Sequence, residues 1–170
     1  MVDLPPAGTV RLRDPRLAGV ALTLIPNSID IAATPDTVWT LVSDVCRMAE
    51  WSPQVESTRL KGAEQVANGV EFTNLNTNGS FQWTTHGTVV RLDTGREIAF
   101  RIKENWAIWS LRLEPTASGT KLTQRRENPE GSPAATAQVI DAYLGGQDVF
   151  TASMRDGMRQ TLQAIKAAAE

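Results

Sequence analysis

The sequence predicts an α+β domain in which a curved antiparallel sheet of about six to seven strands wraps around a long C-terminal helix. Three observations carry this. Short segments of alternating hydrophobicity, separated by turn signals, fill the chain from Val55 to Glu127. Thr34-Pro35 and Ser132-Pro133 each read as a cap followed by a helix-starting proline. From about Gln147 onward, Phe150, Met154, Met158, Leu162 and Ile165 recur every three or four residues, with Thr161 beside them, and mark one buried stripe on a final helix.

The elements follow in order. Asn27 to Ala33 alternates around Ile29 and Ile31 and predicts a short strand. Thr34 then caps a helix, Pro35 suits its first position and Asp36 complements its positive end. Val38, Leu41, Val42 and Val45 give that helix an apolar face, and Trp51-Ser52-Pro53 ends it. Cys46, on this helix, reads as a small buried hydrophobe.

Strands are expected over Val55 to Lys61, Gly69 to Asn76, Phe81 to Leu92, Glu97 to Lys103, Trp106 to Glu114 and Thr120 to Glu127. Asn78-Gly79 is a hairpin signal, since both residues tolerate positive φ. Short connections imply an antiparallel meander. The helix opened by Ser132-Pro133 places Val139, Ile140, Tyr143 and Leu144 on its apolar side, and Gly145-Gly146 separates it from the last helix.

Length and composition narrow the function. A chain of 170 residues suits one core. A hydrophobic content of 41% and a charged content of 21% are those of an ordinary globular protein. The net charge of -2 argues against nucleic acid as a partner, and Arg125-Arg126 alone is no electrostatic footprint. One cysteine and one histidine exclude an internal disulfide, disfavour a zinc site and suit a reducing, cytoplasmic setting. No Gly-rich phosphate loop stands out, so no cofactor is expected.

Residues 1–26 read as an N-terminal arm, partly disordered or adding a strand near Val20 to Ile25, and 27–170 as the domain. Arg11, Arg13 and Arg16 precede an apolar run from Leu17 to Ile25, but Asp14 and Pro26 break the signal-peptide pattern. That run is also shorter than the roughly 20 residues of a membrane-spanning helix, so no integral membrane association is expected.

Alternation assigns the faces of the strands. In the long strand Trp83, Thr85, Gly87 and Val89 share one side, taken as inner because a wet tryptophan is costly, and His86 points outward. Ile98, Phe100 and Ile102 follow inward, then Trp109, Leu111 and Leu113, with Arg101, Ser110 and Arg112 outward. On the last strand Leu122 marks the inner face, which Gln124 and Arg126 must share. A polar pair facing the core demands partners, in one reading a carbonyl or carboxylate of a ligand. In the other reading Arg126 lies at the sheet edge, paired with Glu127 or Glu130 in solvent.

Asn74, on the face of Val70 and Phe72, is a further candidate for a cavity hydrogen bond. Trp51 and Tyr143 suit a half-wet entrance. Phe72, Trp83, Trp109 and Phe150 supply aromatic walls if a cavity exists. With the only histidine outside and Cys46 lacking a partner, no nucleophile and base set is visible.

The sequence resembles the SRPBCC superfamily, in its polyketide cyclase/dehydrase-like branch. The resemblance rests on Ser28-Ile29-Asp30-Ile31-Ala32-Ala33, Thr34-Pro35-Asp36-Thr37-Val38-Trp39, Val42-Ser43-Asp44 and Trp51-Ser52-Pro53. Trp83 with Gly87-Thr88-Val89, Ile98-Ala99-Phe100, Trp109 through Pro115, and Gly119-Thr120 complete it, from about residue 27 to 169. It implies the helix-grip (START-like) fold shared by the birch pollen allergen and lipid-binding START domains. It leaves activity open, because that fold hosts carriers, cyclases, hydrolases and sensors. Arg59-Leu60-Lys61 departs from the aromatic that relatives often carry there and predicts a more polar wall.

Three functions compete. The first is a carrier or sensor of a small hydrophobic molecule (lipid, isoprenoid or polyketide-like), as a monomer or homodimer. The second is a cyclase or dehydratase working by positioning, with Arg126 polarising a carbonyl and water or Tyr143 handling protons. The third is a protein-interaction module, favoured by a large exposed apolar patch.

Overall fold

In the computed structural model residues 24–170 are described. The expectations for Arg11, Arg13, Arg16 and most of the arm lie outside them. Seven strands form one antiparallel sheet: β1 (Leu24–Ile31), β2 (Val55–Lys61), β3 (Glu71–Asn78), β4 (Phe81–Asp93), β5 (Glu97–Ile102), β6 (Ile108–Thr116) and β7 (Gly119–Glu127). The spatial order is β1-β7-β6-β5-β4-β3-β2, so the first strand in sequence pairs with the last and a meander supplies the rest. β1 spans Leu24–Ile31, and the expected arm and the expected first strand therefore meet inside one strand. Pro26 is tolerated there because β1 is an edge.

Among the described residues three α-helices complete the domain: α1 (Pro35–Val42), α2 (Ala134–Tyr143) and α3 (Gln147–Ala169), with a 3-10 turn at Val45–Glu50. This is the helix-grip arrangement, with the sheet curved around α3. Met154, Met158, Thr161, Leu162 and Ile165 are the buried residues of α3, as their spacing requires. Leu162 and Ile165 join Ile31, Val38, Phe72, Ile98 and Leu122 in the main core. The C-terminal end of α3 is tied to the first strand: Lys166 Nζ donates to the Asp30 carbonyl (2.8 Å), and the Ala32 amide donates to Glu170 Oε1 (2.8 Å).

Several local expectations are corrected. Thr34 does cap α1, accepting from the Thr37 amide, but α1 stops at Val42 and Asp44 caps the 3-10 turn through the Cys46 amide. Cys46 thereby lies on the outside of that turn and is exposed, not buried. The β3–β4 loop is Gly79-Ser80, because Asn78 still pairs with Phe81. Positive φ falls on Gly79 alone, the glycine-first requirement of a type II′ turn.

Ser132 does not cap α2. Its hydroxyl accepts from Asn128 Nδ2 (2.8 Å), and Pro133 occupies the cap position without a side-chain bond. β6 starts at Ile108 because Trp106 takes a left-handed φ of 61°, which ends regular pairing. Ser110, expected outside, is buried, since it sits in a central strand between Ala99 and Arg125. A bulge at Val90 resets β4, so that Leu92 pairs with Ile98 while Val90 is exposed.

Candidate functional site

Between the sheet, α2, α3 and the 3-10 turn lies a cavity of about 520 Å3, within the range of small-molecule pockets. Its walls follow from strand alternation. Trp83 and Thr85 of β4, Phe100 and Ile102 of β5, Trp109 of β6, and Gln124 and Arg126 of β7 all reach it from the inner face. Phe150, Met154 and Met158 close it from α3, and Trp51 and Met48 from the 3-10 region.

Eight of the ten residues expected to bind a ligand line this space: Trp51, Asn74, Trp83, Thr85, Trp109, Gln124, Arg126 and Phe150. The two others do not. Phe72 is fully buried in the core, edge-on to Phe100 with centroids 5.3 Å apart, so it backs the wall without facing the space. Tyr143 is 66% exposed and stacks on Phe81 at 5.2 Å with an interplanar angle of 2°. Phe81 in turn stacks on Trp83 at 5.2 Å, forming an aromatic column from α2 to the cavity wall.

Sequence reasoning named neither Phe81 nor Asn76 as a lining residue. Alternation offered the signal in both cases, because each lies two residues from a residue it did name. Arg59 and Lys61 are exposed and off the cavity, so the expected polar wall at that departure does not form. His86 points outward as expected, with Nδ1 2.5 Å from Glu104 Oε1.

Polarity inside the cavity gathers at two poles. On the β2–β4 side the polar groups hydrogen-bond to one another. Thr58 donates to Asn74 Oδ1 (2.7 Å), and Asn76 Nδ2 donates to Thr85 Oγ1 (3.0 Å) within reach of the Trp83 carbonyl (3.3 Å).

The β7 side is different. Arg126 is only 6% exposed, and its guanidinium lies 5.9 Å from the centroid of Trp109. The acids nearest to it in sequence are engaged elsewhere, Glu130 by Arg101 (2.8 Å) and Glu127 by Arg91 (3.5 Å). Among the described residues, no carboxylate is paired with Arg126. Burial pushes its pKa below the usual guanidinium value. Beside it, Gln124 Oε1 is buried with no hydrogen-bond partner.

Of the acids on the lining, Glu104 is bonded to the His86 side chain and amide, and Asp44 to the Cys46 amide. Neither stands ready as a general base. The arrangement can enclose an apolar body, stack it on indoles and neutralise one negative oxygen.

Comparison with known proteins places these features in a lineage. A family model described as polyketide cyclase / dehydrase and lipid transport matches residues 25–170. Comparison with curated proteins gives no match. Among solved structures, a polyketide-cyclase-like protein from Corynebacterium glutamicum is 28% identical, with 85% of this chain and 90% of that one covered and a TM-score of 0.57. The di-domain ARO/CYC StfQ from the steffimycin biosynthetic pathway is 20% identical over 86% of this chain, with a TM-score of 0.66. This chain spans 50% of that protein's length. A protein from Chromobacterium violaceum is 19% identical over 87% of this chain and 98% of its own, with a TM-score of 0.60. Below 25% identity these likenesses speak to fold.

Proposed function

We propose that this chain, which belongs to the polyketide cyclase / dehydrase and lipid transport family, binds a small hydrophobic molecule in its internal cavity as a carrier or sensor. The observation that carries this reading is the cavity itself: about 520 Å3, walled by Trp51, Trp83, Trp109, Phe100 and Phe150. Burying apolar ligand surface there gains about 25 cal/mol per Å2, offset by the loss of ligand freedom. The lining holds no nucleophile beside a base, which favours holding a ligand over hydrolysing it.

A second reading, cyclisation or dehydration, is supported by Arg126 inside the cavity, where it would stabilise an enolate. Proton transfer would then fall to water. Tyr143 is on the outer side of the aromatic column.

Tryptophan fluorescence tests the binding reading directly, because three of the five tryptophans line the cavity. Titration with a panel of fatty acids, isoprenoids and fused-ring aromatics is expected to change emission saturably for at least one class. A flat response across the whole panel would sink it.

A further inference from the structure

We propose that the cavity is built for an apolar carboxylic acid, bound as its anion, that also carries a hydroxyl. The carboxylate meets Arg126 and the hydroxyl meets Gln124. This rests on the binding reading above and names the chemistry of the ligand.

The argument starts from what is left unsatisfied. A buried polar atom without a partner is costly, and a buried charge without a partner is more so. Of the two poles, the one made by Thr58, Asn74, Asn76 and Thr85 closes on itself through hydrogen bonds. It holds no charge for a ligand to balance. The Arg126 and Gln124 pole is open. Arg126 is 94% buried, faces the cavity and has no acidic partner among the described residues, while Gln124 Oε1 is buried and unbonded, so a ligand donor meets it once the Gln124 amide turns toward the cavity.

The two demands have opposite sign. A guanidinium offers only donors, in a planar fork that matches the two oxygens of a carboxylate. The amide oxygen accepts and therefore needs a donor. Arg126 and Gln124 are i and i+2 on one strand face, so their backbones stand about 7 Å apart. One end of one molecule can reach both.

A carboxylate is favoured over a neutral carbonyl because Arg126 keeps a full charge in a poorly solvated place. Only an opposite charge offsets that cost. The Trp109 indole beside the guanidinium and the Phe150 ring from α3 then enclose an apolar body behind the acid.

The test uses three probes on the full chain: 4-hydroxy-2-naphthoate, 2-naphthoate and the methyl ester of the first. Calorimetry at neutral pH is expected to show the hydroxy acid binding at least tenfold more tightly than its ester. That preference should collapse in Arg126→Met. The hydroxyl should strengthen binding relative to 2-naphthoate in the native chain, and that gain should vanish in Gln124→Leu while the preference for acid over ester persists. Circular dichroism confirms that each variant is folded, and Arg126→Lys, which keeps the charge, should retain part of the preference.

Ester bound as well as acid, or an acid preference that survives Arg126→Met, overturns the proposal and leaves the apolar cavity as a binding site. If none of the three probes binds while other apolar compounds do, the carboxylate assignment also falls. Binding by no compound at all removes both readings.

Discussion

The ring of Tyr143 lies parallel to that of Phe81, 5.2 Å away, although Tyr143 is two-thirds exposed. Phe81 opens β4 at the hairpin tip and Tyr143 closes α2, so this contact joins two elements at the rim of the cavity. Directly after α2, Gly145 and Gly146 take positive φ and turn the chain into α3. A stacked pair contributes about 0.5–1.5 kcal/mol beyond its buried area.

If that pair must part for a ligand to leave, Tyr143→Ala will speed release of bound 4-hydroxy-2-naphthoate roughly two- to tenfold, the rate equivalent of that energy. Stopped-flow tryptophan fluorescence measures the rate. Loss of the stack should also lower thermal stability, by about the same 0.5–1.5 kcal/mol. An unchanged rate would show that ligands leave by another route.

Phe72 and Gly87 form a second tight relationship, deeper in the sheet. A Cβ on Gly87 would lie 2.2 Å from Phe72 Cζ, and Phe72 is fully buried with Phe100 against it. Gly87→Ala is therefore expected to cost about 1–3 kcal/mol through overpacking. Chemical denaturation of Gly87→Ala, Phe72→Leu and the double variant checks this. The double variant should be less destabilised than the sum of the two, since the smaller side chain relieves the clash. Strict additivity would place the cost elsewhere.

Arg126 should trade stability for function. Its desolvated charge has no acid partner among the described residues, and its contact with Trp109, at 5.9 Å, is at the outer limit of useful cation–π range. Arg126→Met keeps the apolar stem and removes the charge. Its melting temperature without ligand should rise, by the equivalent of about 1 kcal/mol, while acid binding falls. A lower melting temperature would mean that the guanidinium is stabilised by contacts other than those seen.

The C-terminus should contribute to acid sensitivity. The hydrogen bond from Lys166, and then that from the Ala32 amide, hold the Glu170 carboxyl below its ordinary pKa. The folded state thus binds this proton less readily than the unfolded chain. The stabilisation is present above the ordinary glutamate value of about 4.3 and is lost as pH falls through the lower folded value. Glu170→Gln should lower the melting temperature at neutral pH and flatten its decline in acid. The group is exposed, so the effect is small, and equal acid slopes in both proteins would dismiss it.

The sequence was informative wherever a periodic pattern had one physical meaning. Alternation on β4 through β7 identified the inner face, including Gln124 and Arg126, because one face of a sheet packed on a helix must be apolar and exceptions stand out. The stripe on α3 was legible for the same reason, and Thr34-Pro35-Asp36 because capping is local chemistry.

Periodicity does not report what lies across the space. Phe72 and Trp83 both occupy inner-face positions, yet Phe72 is pressed against Gly87 and Phe100 while Trp83 meets the cavity. Cys46 is exposed against expectation because a 3-10 turn replaces the continuation of α1 and changes which side faces out. Tyr143 stands at the rim rather than on the lining, and the partner that fixes its place, Phe81, comes from a distant strand.

The partners of Arg126 are the clearest case. Glu127 and Glu130 are its neighbours in sequence, but the fold gives them to Arg91 and Arg101, whose side chains share the outer face. The sequence determined an inner-face position for Arg126 on β7 and left open whether its charge would meet a cavity or solvent. Only the tertiary structure decided that the charge would be left without a counter-ion among the described residues, because pairing depends on which side chains the curved sheet brings onto the same face.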